Sequence, residues 1–176
     1  MGIAKIHPPV KYFAAVCFVR DIDLESILSR LETMYGHTDL QSPVFEFDLF
    51  TDYYSSEMGT HLKKIFVSFE PPHPAEQLVE FKLQSNRLEE EYALENGKRR
   101  INIDPGYLTE AKVVLATTKD YSHRLYLGQG IFGDVHLIYQ NRHYQAQPWT
   151  YPDYNQPLAR DFFDSVRKKY REQKRQ

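Results

Sequence analysis

Residues 10–19, VKYFAAVCFV, form an apolar run without helical period, rich in β-branched and aromatic side chains, which predicts a buried strand. Asp21 and Asp23 follow as candidate N-caps. Leu24, Ile27, Leu28, Leu31 and Met34 then recur at helical spacing as far as Gly36, which predicts a helix with a glycine stop. Over residues 44–50, Phe45, Phe47 and Leu49 alternate with Glu46, Asp48 and Phe50, a strand pattern. Residues 64–69, KIFVSF, read as another strand, closed by Pro71-Pro72. Pro74 opens a second helix with Leu78, Phe81, Leu88 and Tyr92 on one side, ended by Gly97. Residues 100–103 read as a short strand running into a turn at Asp104-Pro105-Gly106.

This βαββαβ order predicts a ferredoxin-like core over about residues 10–104. Residues 105–176 read as an elaboration. Leu108, Lys112 and Leu115 share a side and suggest a helix over 108–117. Strands at 123–127 and 135–139 are joined through a Gly-rich hairpin, and a third at 143–147 completes a β-meander. Pro148, Pro152 and Pro157 mark a loop before a final helix over about 158–170. With no repeat and no flexible linker, residues 1–176 are expected to form a single α+β domain.

A chain of 176 residues with 41% apolar and 26% charged residues is long and apolar enough for one core. The single cysteine, Cys17, excludes a disulfide framework. No apolar run approaches the roughly 18 residues of a membrane helix, and no signal-peptide pattern occurs. These features predict a cytoplasmic protein with no membrane partner. The aromatic residues divide: 8 of 11 Phe precede residue 89, whereas 9 of 13 Tyr follow residue 88. Phe suits a dry core and Tyr needs a partner for its hydroxyl, so the first half reads as core and the second as wetter surface. Charge divides too. Residues 1–100 carry 11 basic and 16 acidic side chains, and residues 101–176 carry 11 and 8, which would turn an anionic partner toward the C-terminal part.

Gly128-Gln-Gly130-Ile-Phe-Gly133-Asp-Val135 matches G-x-G-x-x-G-x-V, but an alternating strand follows it where a dinucleotide fold needs a helix. The plain reading is a hairpin with glycines at positive φ; the alternative is a phosphate approaching Gly128 and Gly130. Thr118-Lys119-Asp120 approaches the guanine-reading [NT]-K-x-D but lacks the spacer, and no Walker sequence accompanies it. Asp48 and Asp52, with Glu57 nearby, are the candidate hard-oxygen ligands for Mg²⁺; the plain alternative is that they cap turns or face water. Nothing points to NAD, haem or zinc. Within Lys119–Arg124, His123 is a candidate acid or base and Arg124 a candidate anion clamp, although in a strand the two would point apart. Trp149 sits in a proline-flanked aromatic loop suited to stacking or to packing. The C-terminal SVRKKYREQKRQ holds six basic residues in twelve, which a helix C-terminus favours on dipole grounds alone.

Several blocks, FEFDLFTDYYSSEMG, GKRRINIDPGYLT, LATTKDYSHRLYLGQGI, VHLIYQNRHY and PWTYPDY, together resemble a bacterial family, domain-of-unknown-function 4416, over about Val10–Tyr170. The resemblance implies no established activity, substrate or catalytic residue. Members sometimes carry a GTP-binding label, which this sequence, lacking a P-loop, does not support. What the resemblance adds is a set of signature polar positions: Asp48, Asp52, Tyr53, Tyr54, Glu57, Asp104, Tyr107, Lys112, Lys119, His123 and Arg124.

Together these readings predict a polar cleft for an anionic small molecule such as a nucleotide or phosphorylated metabolite. Asp104, His123 and Lys119 are the candidate catalytic groups. Arg124, Lys112, Tyr107, Tyr53, Gly128 and Gly130 are the candidate ligand contacts. The alternative is a non-enzymatic module that binds RNA or protein through the Tyr-rich C-terminal surface.

Overall fold

A computed structural model of the chain describes residues 2–175. Its central strand, β1 (Lys11–Phe18), is buried along its whole length. Both of its faces are covered. Tyr12, Ala14, Val16 and Phe18 join one apolar cluster; Phe13 and Ala15 join another. That is why the run shows no alternation of polarity.

The first cluster is closed by α1 (Leu24–Tyr35) and α3 (Leu78–Glu91), through Ile27, Leu31, Phe81 and Leu88. Asp23 caps α1 by accepting the Ser26 amide hydrogen, and Gly36 ends it at a φ of 97°. The second cluster is closed by α4 (Pro157–Gln173), which presses Phe162, Phe163 and Val166 onto Phe13 and Phe66. A single turn, α2 (Ser55–Met58), completes the four helices.

The remaining strands are β2 (His37–Gln41), β3 (Phe45–Glu46), β4 (Lys63–Glu70), β5 (Ile101–Leu108), β6 (Lys112–Thr117), β7 (Leu125–Gly128), β8 (Ile131–Gln140) and β9 (His143–Ala146). They form one sheet in the order β2-β4-β1-β5-β6-β8-β7, with β3 on β4 and β9 on β8. Every named pairing is antiparallel. The described residues therefore form a mixed α/β domain with a large antiparallel sheet and four helices. Among the described residues no helix is long and apolar enough to cross a membrane.

Several expectations change. The strand expected over 100–103 runs on to Leu108 and pairs with β6. Residues 112–117 are strand, not helix: Val113 to Ala116 are all buried, as the two covered faces of a strand require. The strand expected over 44–50 pairs only at Phe45–Glu46 and then becomes a 3₁₀ turn, Phe47–Leu49. Its cause is Asp48, whose carboxylate accepts the backbone N–H groups of His61 and Leu62 and draws the chain round. The polar edge strand β2 had no apolar signature to announce it. The C-terminal strands are not a simple meander either, since β6 pairs with β8 and both β7 and β9 share the other edge of β8.

Asp104-Pro105-Gly106 is likewise not a turn; it lies inside β5. Gly106 is there for space. A Cβ on it would stand 2.5 Å from the Phe13 ring and 2.5 Å from the Val114 carbonyl oxygen.

Candidate ligand-binding cleft

β5 pairs with β6 only through Gly106–Leu108, while β6 follows β8 out to Thr117. Residues 101–105 are thus left without a strand on that edge. Pro105 explains the break. It alternates in phase with Ile103, whose N–H and C=O face the open side, and a proline there has no N–H to leave unpaired. Two side chains of α3 take the place of the missing strand. Lys82 Nζ donates to the Ile103 carbonyl at 2.8 Å, and Glu89 Oε1 accepts the Ile103 N–H at 2.7 Å.

Around this gap runs a chain of charges. Arg99 donates to both Glu57 oxygens, at 2.6 and 2.8 Å, and to Glu89 at 2.8 Å. Lys82 lies 3.8 Å from Glu89 and 3.4 Å from Asp104. The Asn102 amide donates to the other Asp104 oxygen at 2.9 Å. On the α4 face, buried Lys64 pairs with buried Asp153 at 2.7 Å.

Burial works to raise the Asp104 carboxyl, but Lys82, Lys64 and the Asn102 amide outweigh it and hold it below the ordinary carboxylate value. For Glu89 burial wins over Lys82 and Arg99, so its carboxyl titrates above its ordinary value. Burial opposes the Lys64 charge, yet Asp153 and Asp104 prevail and hold the ammonium above its usual value. Burial pushes the Tyr151 phenol up to about 12, so it is a protonated donor at neutral pH.

Two hollows meet here, one of about 380 Å³ against α3 and one of about 170 Å³ on the α4 face. Tyr54, Asp104, Lys119 and Tyr151 line both. Lys119 stands over the Tyr53 ring at 4.2 Å and donates to the Tyr53 hydroxyl. Among the described residues it makes no ion pair, whereas Lys64, Lys82, Arg99 and Arg124 each face a carboxylate.

Of the residues expected to converge, Asp104, Lys119, Tyr53 and Arg124 do, all four lining the smaller hollow. His123 does not: its ring stacks on Trp149, 5.0 Å between centroids and 12° between planes. It lines a different hollow of about 470 Å³, with Tyr107 and Lys112, bounded by α3 residues Leu78 and Val79. Arg124 is nearly enclosed, its side chain 2% exposed, and serves to position its neighbours. It donates to Asp134 at 3.3 Å, to the Lys119 carbonyl at 3.0 Å and to the Tyr151 hydroxyl at 3.0 Å. His123 and Arg124 approach the same Asp134, because residues 121–124 form a turn rather than a strand. His136 completes the support. The Tyr151 N–H donates to its Nε2 at 3.0 Å, so Nδ1 carries the proton toward Asp134 at 2.9 Å.

Gly128 and Gly130 bracket Gln129 in a two-residue hairpin, with φ of 116° and 76°, in open space outside both hollows. They supply turn geometry. The proposed metal ligands also separate: Asp48 holds its loop, Glu57 clamps Arg99, and the backbone carbonyl of Asp52 accepts from the Ser55 N–H. Among the described residues no group of three His, Cys, Asp or Glu side chains is arranged to hold a metal ion.

Sequence reasoning overlooked Lys64, Lys82, Glu89, Arg99, Asn102 and Asp153. A signal for some was present. Lys82 and Glu89 fall on the buried stripe of α3 with Leu78, Phe81 and Leu88, and Lys64 falls in phase with Phe66 in β4. Charge in apolar register is a mark of a buried network.

The model of the family described as domain of unknown function (DUF4416) matches residues 8–170. The chain belongs to the DUF4416 family. No curated protein and no solved structure matches it. The DUF4416 match spans every strand and nearly all of α4, so the cleft lies wholly within the family's domain.

Proposed function

We propose that the cleft binds an anionic small molecule of the nucleotide or phosphorylated-metabolite class. The observation that carries the reading is Lys119, a cation at the junction of both hollows with no carboxylate partner among the described residues. The Thr118 backbone and hydroxyl lie beside it on the chain, and Thr117 and Thr118 both line the larger hollow. Tyr54 and Tyr151 supply aromatic walls for a ring. Asp104, ionised at neutral pH, accepts from a ligand hydroxyl or amino group. Lys64, Lys82, Arg99 and Arg124 each face a carboxylate and so preorganise the walls more than they attract a ligand.

Two finer readings accompany this one. The order β2-β4-β1-β5, with α1 and α3 on one face, supports a ferredoxin-like reading of the first half, two split βαβ units interleaved. The lone Cys17, buried and without a disulfide partner, supports a reducing, cytoplasmic setting.

The test is a thermal-shift screen of nucleotides, sugar phosphates and inorganic phosphate on the full chain, repeated with Lys119→Gln. A ligand at a hundredfold excess over its dissociation constant stabilises the native state by about 2.7 kcal/mol. Wild type should gain several degrees from at least one compound and the variant little or none. Equal gains in both proteins, or no gain in wild type from any of them, would reject the reading.

A further inference from the structure

Outside the cleft, the solvent side of α4 and the turn between β8 and β9 enclose a groove of about 320 Å³. Five of its eight lining residues are cations: Arg142, Arg167, Lys168, Arg171 and Arg175. Asp164 and Glu172 are the carboxylates among them, so the groove is strongly positive on a chain whose formal net charge is −2. Arg171 pairs with Glu110 at 3.3 Å; the other four make no ion pair among the described residues.

The cations are arranged, not scattered. Arg167 is held by a 2.8 Å bond from its Nε to the Glu110 carbonyl and by the Tyr139 ring, 3.5 Å below its guanidinium. Both contacts orient the group and leave its charge intact. Arg171 follows one turn along α4, and Arg175 continues the row just past the helix end. With a helical rise of about 1.5 Å per residue, the row is about 12 Å long. A single phosphate is best held by cations converging on a point, whereas a row suits a chain of phosphates.

A lipid surface is the poorer fit. Basic helices that lie on membranes insert their apolar face. Here that face, Phe162, Phe163, Val166 and Tyr170, is buried in the core. The groove itself offers only Tyr139, one side of which Arg167 covers.

We propose that this groove binds the phosphodiester backbone of single-stranded nucleic acid, independently of base sequence. About three phosphates fall within reach of the row. Each neutralised phosphate of a single strand contributes about −0.7 to the slope of log K against log salt, giving a slope of about −2.

The experiment is fluorescence anisotropy of a labelled twelve-residue oligouridylate on the full chain, titrated between about 50 and 200 mM salt. The wild-type protein should bind at the low end with that slope. Arg142→Gln/Lys168→Gln/Arg175→Gln, three exposed positions without ion pairs, should weaken binding about tenfold or more and flatten the slope, with an unchanged melting temperature. Arg20→Gln/Arg30→Gln/Lys98→Gln removes the same charge elsewhere and should bind like wild type. Lys119→Gln should as well, which separates this groove from the cleft. No binding at low salt, equal loss in the control triple, or binding to anionic phosphatidylserine vesicles in place of the oligonucleotide would overturn the proposal.

Discussion

At Asp104 two effects compete. Burial favours the neutral acid, while Lys82 at 3.4 Å and the charge of Lys64 favour the carboxylate and prevail. The folded value therefore lies below that of the unfolded chain, about 3.9. A carboxylate of this kind contributes stability that is present above the unfolded value and is lost as the pH falls through the folded one. Glu89 has the opposite sign. Its folded value is raised, so its ionisation opposes folding at neutral pH and that cost fades as the solution is acidified. Asp104→Asn isolates the first contribution. Removing one partner from a buried ionic network costs on the order of 3 kcal/mol, less for the part of Asp104 that meets water. Urea unfolding of wild type and variant should show this gap at pH 7, and the gap should shrink below about pH 4. A gap that stays constant to pH 2 would mean that Asp104 titrates alike in the folded and unfolded chain.

At the scale of the element, α3 acts as a strand substitute. Ile103 sits on an edge where β6 has departed, and its backbone would be a template for another chain or an unsatisfied pair. Lys82 and Glu89 close that edge from the helix. The cost falls on α3, whose buried stripe includes Lys82, Ser85 and Glu89 where aliphatic side chains would otherwise pack. The amide in Glu89→Gln keeps an acceptor for the Ile103 N–H, whereas Glu89→Leu does not. A buried donor left without a partner costs about 1–3 kcal/mol, so the leucine variant should be the less stable by about that amount. Hydrogen exchange at the Ile103 amide should quicken in Glu89→Leu and stay slow in Glu89→Gln. Similar protection in both variants would show that the helix does not close this edge.

The whole molecule is a sheet with helices on both faces; α4 covers most of one, and Met58 of α2 adds to it beside Cys17. Phe163 is its anchor, with ring centroids 5.0 Å from Phe13, 5.5 Å from Phe66 and 5.7 Å from Tyr154. Phe163→Ala should cost about 3–5 kcal/mol, read as a lowered urea midpoint with an unchanged slope. Loss of less than 1 kcal/mol would mean that α4 packs loosely. Much of this layout is legible in the chain itself. The apolar run of β1, the capped period of α1 and the stripe of α4 follow from side-chain type and spacing, because local periodicity reports which faces are buried. Asp104 and Lys119 stand out as candidate polar groups, although Asp104, expected in a turn, lies inside β5. What the chain alone leaves open is long-range: that Asp104-Pro105-Gly106 continues a strand, that residues 112–117 pair with two strands, that His123 turns to Trp149, and that Lys64, Lys82 and Arg99 meet Asp104. Each depends on partners distant in sequence. A buried charge is tolerated only where the fold delivers its counter-charge, and no local pattern carries that pairing. Residue order determined the buried strands β1 and β4, the helices α1, α3 and α4, and most of the core; the departure of β6 from β5, a tertiary event, decided where the cleft opens and which side chains face into it.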